Sequence, residues 1–108
     1  MNRAVTEGDV HAKWRTLAPL GDRFVLVWSG EDQNGVYSLH YQLNSATDLG
    51  VVTGRQLLAR SEFPEGDLID PLATLGPNGS IAVVFDENRA GIHSAYLTRL
   101  GCIDSNLR

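Results

Sequence analysis

The stretch that decides the fold is DRFVLVWSGEDQNGVYSLHYQL, residues 22–43, which has the pattern of two strands joined by a turn. Residues 24–28 are an unbroken run of β-branched, aromatic and aliphatic side chains, which favours a strand buried on both faces. In residues 37–43, apolar and polar side chains alternate, as is typical of a strand with one buried face. Between them, Asn34-Gly35 accepts positive φ readily. The sequence therefore predicts a β-hairpin with a sandwiched first strand.

Composition indicates one globular domain without a nucleic-acid partner. The chain has 108 residues, of which 43% are hydrophobic and 20% are charged, and its net charge is −4. Phosphate binding needs a cationic surface, and no cluster of Lys or Arg occurs. Cys102 is the single cysteine, so no intrachain disulfide is expected. No signal-like or membrane-spanning apolar stretch is seen, so we expect a soluble, cytoplasmic chain with no membrane partner.

The hairpin returns in altered form near the C-terminus, because four blocks of sequence recur in the same order. The pairs are EGDV at 7–10 with EGDL at 65–68, LAPLG at 17–21 with LATLG at 72–76, FVLVW at 24–28 with IAVVF at 81–85, and GVYS at 35–38 with GIHS at 91–94. Ordered self-similarity predicts a repeat architecture. We therefore predict a single domain over residues 1–108, made of two repeats at about residues 7–61 and 65–108.

Each repeat is predicted to contain four short antiparallel strands. The first lies near residues 14–20, or 71–75 in the second copy, and the fourth around residues 54–60. In the second copy, the acidic segment 86–91 is expected to form the hairpin loop. The tail after Leu100 is short for a fourth strand, whereas residues 3–6 occupy that position relative to the repeat. The last sheet is therefore expected to be completed by the chain's own N-terminus or by that of a neighbour.

Two segments allow a different interpretation. Residues 6–18 fit an amphipathic helix with Thr6 as N-cap, although the matching segment of the second copy contains Asp70-Pro71, which a helix interior does not accept. Residues 55–63 also have helix propensity. The preferred interpretation of both is a strand. The alternative fold is a small α+β domain or a pseudo-symmetric β-sandwich, with a helix at 6–18.

The tandem four-stranded units resemble the blade repeats of β-propellers, from about residue 7 to residue 100. The resemblance implies a central strand buried on both faces and a phase-shifted terminus that closes the ring. Two blades cannot close a ring, so it implies a propeller-like homo-oligomer formed head to tail, as in small sugar-binding lectins whose two-blade chains trimerise. The repeated Arg, Glu and Trp pattern of the fucose-binding lectins is not duplicated here, because Trp14 and Arg15 have no partners in the second copy.

The candidate ligand-binding residues are few and scattered along the chain. Trp14 stands between two cations, and an amphipathic ring with cationic neighbours suits a stacking platform for sugar or an anchor at an interface. No nucleophile motif is present, the histidines are too dispersed to predict a metal site, and the acidic turns lack calcium-loop spacing. No catalytic residue, metal or cofactor is therefore predicted. The candidates are Trp14, Arg15, His40, His93 and Arg89.

These features predict a non-catalytic binding or protein-interaction module that associates with itself. A small molecule or a carbohydrate is the expected ligand class, and a lectin-like carbohydrate-binding protein is the specific alternative. A second alternative is a small enzyme with an active site at the subunit interface, built from His40, His93 and the acidic loops.

Overall fold

The chain folds as two antiparallel β-sheets, which confirms the predicted all-β class. The computed structural model describes residues 12–31 and 35–100. Within them lie seven strands of nine residues each and a 3-10 turn at Pro77–Gly79. The strands are β1 (Ala12–Leu20), β2 (Arg23–Glu31), β3 (Tyr37–Ser45), β4 (Val51–Ala59), β5 (Asp67–Leu75), β6 (Ile81–Arg89) and β7 (Ile92–Leu100).

Sequential hairpins generate both sheets. The first sheet has the strand order β1-β2-β3-β4 and the second has the order β5-β6-β7. In the second sheet, no described residue supplies a fourth strand, and β7 is the last of the described strands. The predicted completion of this sheet by residues 3–6 falls outside the described residues, as does Asn34 of the predicted Asn34-Gly35 turn. Gly35 itself adopts φ +79, as that turn requires.

The described part of residues 6–18, the helix of the alternative fold, forms β1. Ala18 and Leu20 are buried whereas Leu17 and Pro19 are exposed, so burial follows the period of two that belongs to a strand. A proline is tolerated here because β1 is an edge strand. Pairing with β2 therefore overrides the local helical pattern. The strand interpretation of residues 55–63 also holds as far as the end of β4.

A β-bulge interrupts the first strand of each sheet. Trp14 in β1 has φ 49 and Asp70 in β5 has φ 53, and the register of each strand with its neighbour shifts there. After the bulges, Thr16 is paired with Val27 and Leu72 is paired with Val84. An extra residue at a bulge reverses which face the following side chains occupy. The bulges therefore fix which residues of β1 and β5 point toward the core.

Facing sides of the two sheets enclose the core. The first sheet contributes the side that carries Val25 and Val27, and the second contributes the side that carries Val83 and Phe85. These side chains belong to one continuous cluster, whose buried members are Ala18, Leu20, Val25, Val27, Leu39, Leu43, Leu68, Ala73, Ile81, Val83 and Phe85. Trp28 is also fully buried but lies outside this cluster, on the back face of the first sheet.

Among the described residues, three hydrogen bonds join β5 to the first sheet. The Ala73 N–H donates to Thr16 Oγ1 at 3.2 Å, which joins β5 to β1. Ser29 Oγ in β2 donates to the carbonyl of Leu68. The Tyr37 N–H at the start of β3 donates to Asp67 Oδ1 at 2.9 Å. Small side chains at Ala18 and Ala73 allow the two sheets to approach closely at β1 and β5.

The two predicted central strands differ in burial. All of residues 25–30 in β2 are buried, which confirms the sandwiched strand predicted from the opening stretch. Residues 81–85 of β6 correspond to residues 24–28 of β2 in the proposed repeat. They are buried on one side only: Ile81, Val83 and Phe85 are buried, whereas Val84 is 47% exposed. The prediction that residues 81–85 form a strand buried on both faces is therefore wrong within a single chain.

The predicted acidic loop of the second copy is also wrong. Asp86, Glu87 and Asn88 lie within β6 and continue the ladder with β7. The connection is the two-residue turn Ala90-Gly91, with φ values of 53 and 84. Positive φ at both central residues is the geometry of a type I′ turn, which matches the twist of the flanking strands. The tight turn lengthens both strands and draws the acidic residues into the sheet.

In the described ranges, no helix is long and apolar enough to span a membrane.

Candidate functional site

A cavity of about 210 Å³ opens where the connection between β4 and β5 crosses the core side of the second sheet. Its lining combines three aromatic rings and a leucine with one serine hydroxyl and three charged groups. Local sequence creates this arrangement, since residues 60–66 leave β4 and turn back to start β5. The lining residues are Arg60, Ser61, Glu62, Phe63, Leu68, Phe85, Glu87 and Tyr96.

A stacked pair of rings forms one wall of the cavity. Phe85 in β6 is paired with Tyr96 in β7, and the ring centroids are 5.9 Å apart with an interplanar angle of 24°. Phe85 is buried in the core, whereas Tyr96 is 47% exposed. Such cross-strand aromatic pairs stabilise a sheet. The partly exposed ring of Tyr96 therefore offers an apolar surface held in place by its neighbour.

The side chain of Glu87 lines the cavity, and the residue is 6% exposed. It follows Phe85 on the same side of β6, and its Oε2 accepts a hydrogen bond from Ser61 Oγ. In the described part of the chain, no Lys, Arg or His forms an ion pair with it. A Cβ at the buried Gly66 would collide with Ser61 and crowd Glu87. Glycine at that position therefore allows the connection to close over the carboxylate.

Short contacts hold the connection that covers the cavity. The Phe63 N–H donates to Ser61 Oγ at 3.1 Å, and the Gly66 N–H donates to the carbonyl of Phe63 at 3.0 Å. The guanidinium of Arg89 lies 3.7 Å from the centroid of the Phe63 ring, a cation–π contact. Of the residues predicted to bind ligand, Arg89 therefore lies beside the cavity.

Trp14 and Arg15 lie at the bulge of β1, away from this cavity. Trp14 is 39% exposed and meets Tyr37 edge to face, with 5.6 Å between centroids and an interplanar angle of 69°. Lys13 Nζ is 5.6 Å from the centroid of each ring. The side chain of Arg15 is exposed. The bulge therefore presents an aromatic pair with cations beside it.

His40 and His93 are on opposite sides of the pair of sheets. His40 is 8% exposed on the back face of the first sheet, where its ring stacks on Trp28 with centroids 5.8 Å apart and its Nε2 is 3.3 Å from Arg55 Nη2. His93 is exposed and paired with Asn88 on the outer side of the second sheet. One chain therefore does not bring the two histidines together, and the interfacial active site stays a prediction.

Within the residues described, no group of three or more His, Cys, Asp or Glu side chains is arranged to hold a metal ion. Cys102 and His11 fall outside those residues.

None of the residues that line the cavity is among the predicted ligand-binding residues. Residues 81–85 are predicted as a strand that matches residues 24–28, and Glu87 falls in the segment 86–91 that is predicted to form a loop. The sequence contains a signal for the aromatic pair. A two-residue turn at Ala90-Gly91 pairs Arg89 with Ile92, and counting back from that pair along both strands places Phe85 opposite Tyr96. The contribution of residues 60–63 had no signal of its own, because it depends on how the second sheet folds back against the first.

The outer side of the second sheet carries a row of exposed apolar side chains, which we call the outer row. It consists of Leu72, Val84 and Leu97, which lie directly opposite one another across β5, β6 and β7. Their exposed fractions are 66%, 47% and 71%. Adjacent apolar side chains on one sheet face form the kind of patch that marks an interaction surface.

Comparison with family models, with curated proteins and with solved structures finds no match for this chain.

Proposed function

We propose that this chain is a non-catalytic binding and interaction module that acts as a homo-oligomer, with the outer row as part of its self-association surface. The exposure of the outer row is the observation that carries the proposal. Burying a large apolar side chain stabilises a complex by roughly 1.5–3 kcal/mol. Three such side chains in register therefore supply a substantial apolar contribution to association.

The corresponding row of the first sheet supports this proposal. Aligning the sheets by their bulges matches Thr16 with Leu72 and Val27 with Val84. Val27 is fully buried against the second sheet, whereas Val84 is exposed. The same position is thus covered in one sheet and uncovered in the other. A second chain that packs on the outer row would cover Val84 as the second sheet covers Val27.

The orientation of the sheets supports a head-to-tail arrangement. Under the same alignment, Trp28 matches Phe85, and each ring stacks on an aromatic residue of the next strand. Phe85 belongs to the core cluster, whereas Trp28 lies on the opposite side of its own sheet. The two sheets therefore use opposite faces when they pack. Front-to-back stacking is the arrangement of propeller blades. In a head-to-tail ring, the outer row of one chain would pack on the back face of the next chain's first sheet, which would have to open because Trp28 is already fully buried there.

The proposal is tested by measuring molar mass with light scattering during size-exclusion chromatography across a concentration series. We expect an oligomer for the natural sequence, and a shift toward monomer for Leu97→Asp because a charge would be buried in the contact. Leu49→Asp is the control, since Leu49 is exposed in the turn between β3 and β4, away from the outer row. A natural chain that stays monomeric at hundred-micromolar concentration would overturn self-association.

A lectin-like function is a second candidate, favoured by the exposed ring of Trp14 beside Lys13. Aromatic faces bind the apolar face of sugars, and neighbouring cations donate hydrogen bonds to hydroxyls. Because Trp28 is fully buried, a saccharide that quenches or shifts tryptophan fluorescence would act through Trp14. We expect the change to disappear in Trp14→Phe. A panel of monosaccharides that produces no change, together with an empty glycan array, would remove this candidate.

A further inference from the structure

We propose that the cavity lined by residues 60–63, Phe85 and Tyr96 binds a small organic cation, a guanidinium or ammonium group, with Glu87 as its counter-ion. This site is separate from the outer row and does not depend on self-association. It is also separate from the Trp14 platform, which lies at the bulge of β1. The ligand class follows from three properties of the cavity: a buried anion, aromatic walls and a small volume.

The buried anion sets the sign of the ligand's charge. Glu87 is 6% exposed and accepts a hydrogen bond from Ser61, and no cationic side chain in the described ranges forms an ion pair with it. Burial of a carboxylate without a charged partner is unfavourable. A cation in the cavity would provide that partner and would form a charge-assisted hydrogen bond. An anionic ligand would be repelled, and a neutral ligand would leave the charge uncompensated.

The aromatic walls favour an organic cation. The faces of aromatic rings carry negative electrostatic potential and attract guanidinium and ammonium groups. Phe63, Phe85 and Tyr96 line the same cavity as the carboxylate. The protein already uses this interaction at the rim, where the Arg89 guanidinium lies 3.7 Å from the centroid of the Phe63 ring. The partly exposed ring of Tyr96 provides an equivalent surface inside the cavity.

The size and rim of the cavity narrow the ligand further. Its volume of about 210 Å³ is below the roughly 300 Å³ at which sites for drug-sized molecules begin. It therefore suits a head group rather than an extended ligand. Arg60 and Glu62 are exposed lining residues of opposite charge, which water and salt screen, and the Arg89 guanidinium is held against the Phe63 ring. The buried charge of Glu87 is thus the one that selects among ligands.

The probe is methylguanidinium, and its matched neutral control is methylurea, which has a similar shape without the charge. Titration is followed by amide chemical shifts in two-dimensional NMR. We expect saturable shifts at residues 61–63, 87 and 96 with methylguanidinium, and at least about tenfold weaker binding of methylurea, as the loss of a hydrogen bond to a charged group implies. Equal binding of the two probes, or no saturable shift with either, would overturn the proposal.

Protein variants test the roles of individual side chains. Glu87→Gln should weaken methylguanidinium binding by at least about tenfold, whereas Asp86→Asn, on the other side of the same strand, should leave it unchanged. Tyr96→Leu should weaken it by about two- to fivefold through loss of the cation–π contact. Because Tyr96 is 47% exposed, this variant keeps the test informative if Glu87→Gln does not fold. Undiminished binding in a folded Glu87→Gln or Tyr96→Leu protein would contradict the assignment.

A guanidinium group has two natural sources, a free small molecule and an arginine side chain of a polypeptide. Comparing methylguanidinium with the capped tripeptide acetyl-Gly-Arg-Gly-amide distinguishes them. Tighter binding of the tripeptide supports a polypeptide ligand, and tighter binding of the free cation supports a metabolite. Binding of a neutral monosaccharide in the cavity in preference to both would overturn the cation assignment.

Discussion

At the residue scale, the turn between β6 and β7 contains an alanine in an unfavourable backbone conformation. Ala90 has φ 53 and is followed by Gly91 with φ 84. A left-handed conformation brings the Cβ of an L-residue close to its own carbonyl, whereas Asn tolerates it better and glycine has no Cβ. Ala90 therefore weakens a hairpin whose edge strand already lacks a described partner.

Replacing Ala90 by Asn should stabilise the protein by about 0.5–1 kcal/mol, because Asn-Gly is the preferred pair for a type I′ turn. The free energy of unfolding in urea measures the effect. Ala46→Asn serves as the control, since Ala46 is an exposed turn residue without positive φ, and it should change stability by less than about 0.5 kcal/mol. Equal effects at both positions would show that the turn conformation of Ala90 is not the cause.

At the element scale, β2 and β6 occupy matching places in their sheets but differ in burial. Val27 is fully buried and Val84 is 47% exposed. Replacing each by Thr keeps the β-branched shape and therefore the strand propensity, while it adds a hydroxyl. The two variants therefore compare the effect of burial at matching positions of β2 and β6, while the preference of each residue for a strand stays the same.

Val27→Thr should lower the free energy of unfolding by about 1–3 kcal/mol, because a hydroxyl enters the core. Val84→Thr should change monomer stability by less than about 0.5 kcal/mol and should weaken self-association instead. Denaturation at low protein concentration gives the first quantity, and molar mass across a concentration series gives the second. Equal loss of monomer stability in both variants would contradict the difference in burial.

Local sequence predicts where the strands lie better than it predicts how deeply each strand is buried. The run at residues 24–28 and the alternation at residues 37–43 identified β2 and β3, because those signals are short-range. The exposure of Val84 had no such signal, since its sequence context matches that of a buried strand. Glu87 was misplaced because two-residue and longer loops look alike when the turn dipeptide is Ala90-Gly91 rather than Asn-Gly. Burial of one strand depends on which sheet face finds a partner, and that is decided by tertiary packing.

At the scale of the whole molecule, the two sheets share one core and should unfold together. Val25 and Val27 from the first sheet pack in the same cluster as Ile81 and Val83 from the second. Trp28, on the back face of the first sheet, lies outside this cluster and is a fluorescent reporter for the first sheet. A substitution in the second sheet can therefore be followed from the first.

Val83→Ala should lower the free energy of unfolding by about 2 kcal/mol through lost burial and a cavity. The urea midpoint reported by tryptophan fluorescence should decrease together with the midpoint reported by circular dichroism. Leu49→Ala, at an exposed turn, should leave both midpoints nearly unchanged. A fluorescence midpoint that stays fixed while circular dichroism changes would indicate that the sheets unfold independently.

β1 and β5 are joined where the Ala73 N–H donates to Thr16 Oγ1, so the packing of these two strands contributes to the angle between the sheets. In the proposed head-to-tail assembly, every chain repeats this same angular step. The number of chains in a closed ring would then depend on a geometry found inside one chain. Bulkier residues at Ala18 or Ala73 would open that angle, and the result would be a ring of different size or an open filament. Two small side chains in the core would thus determine the symmetry of the assembly.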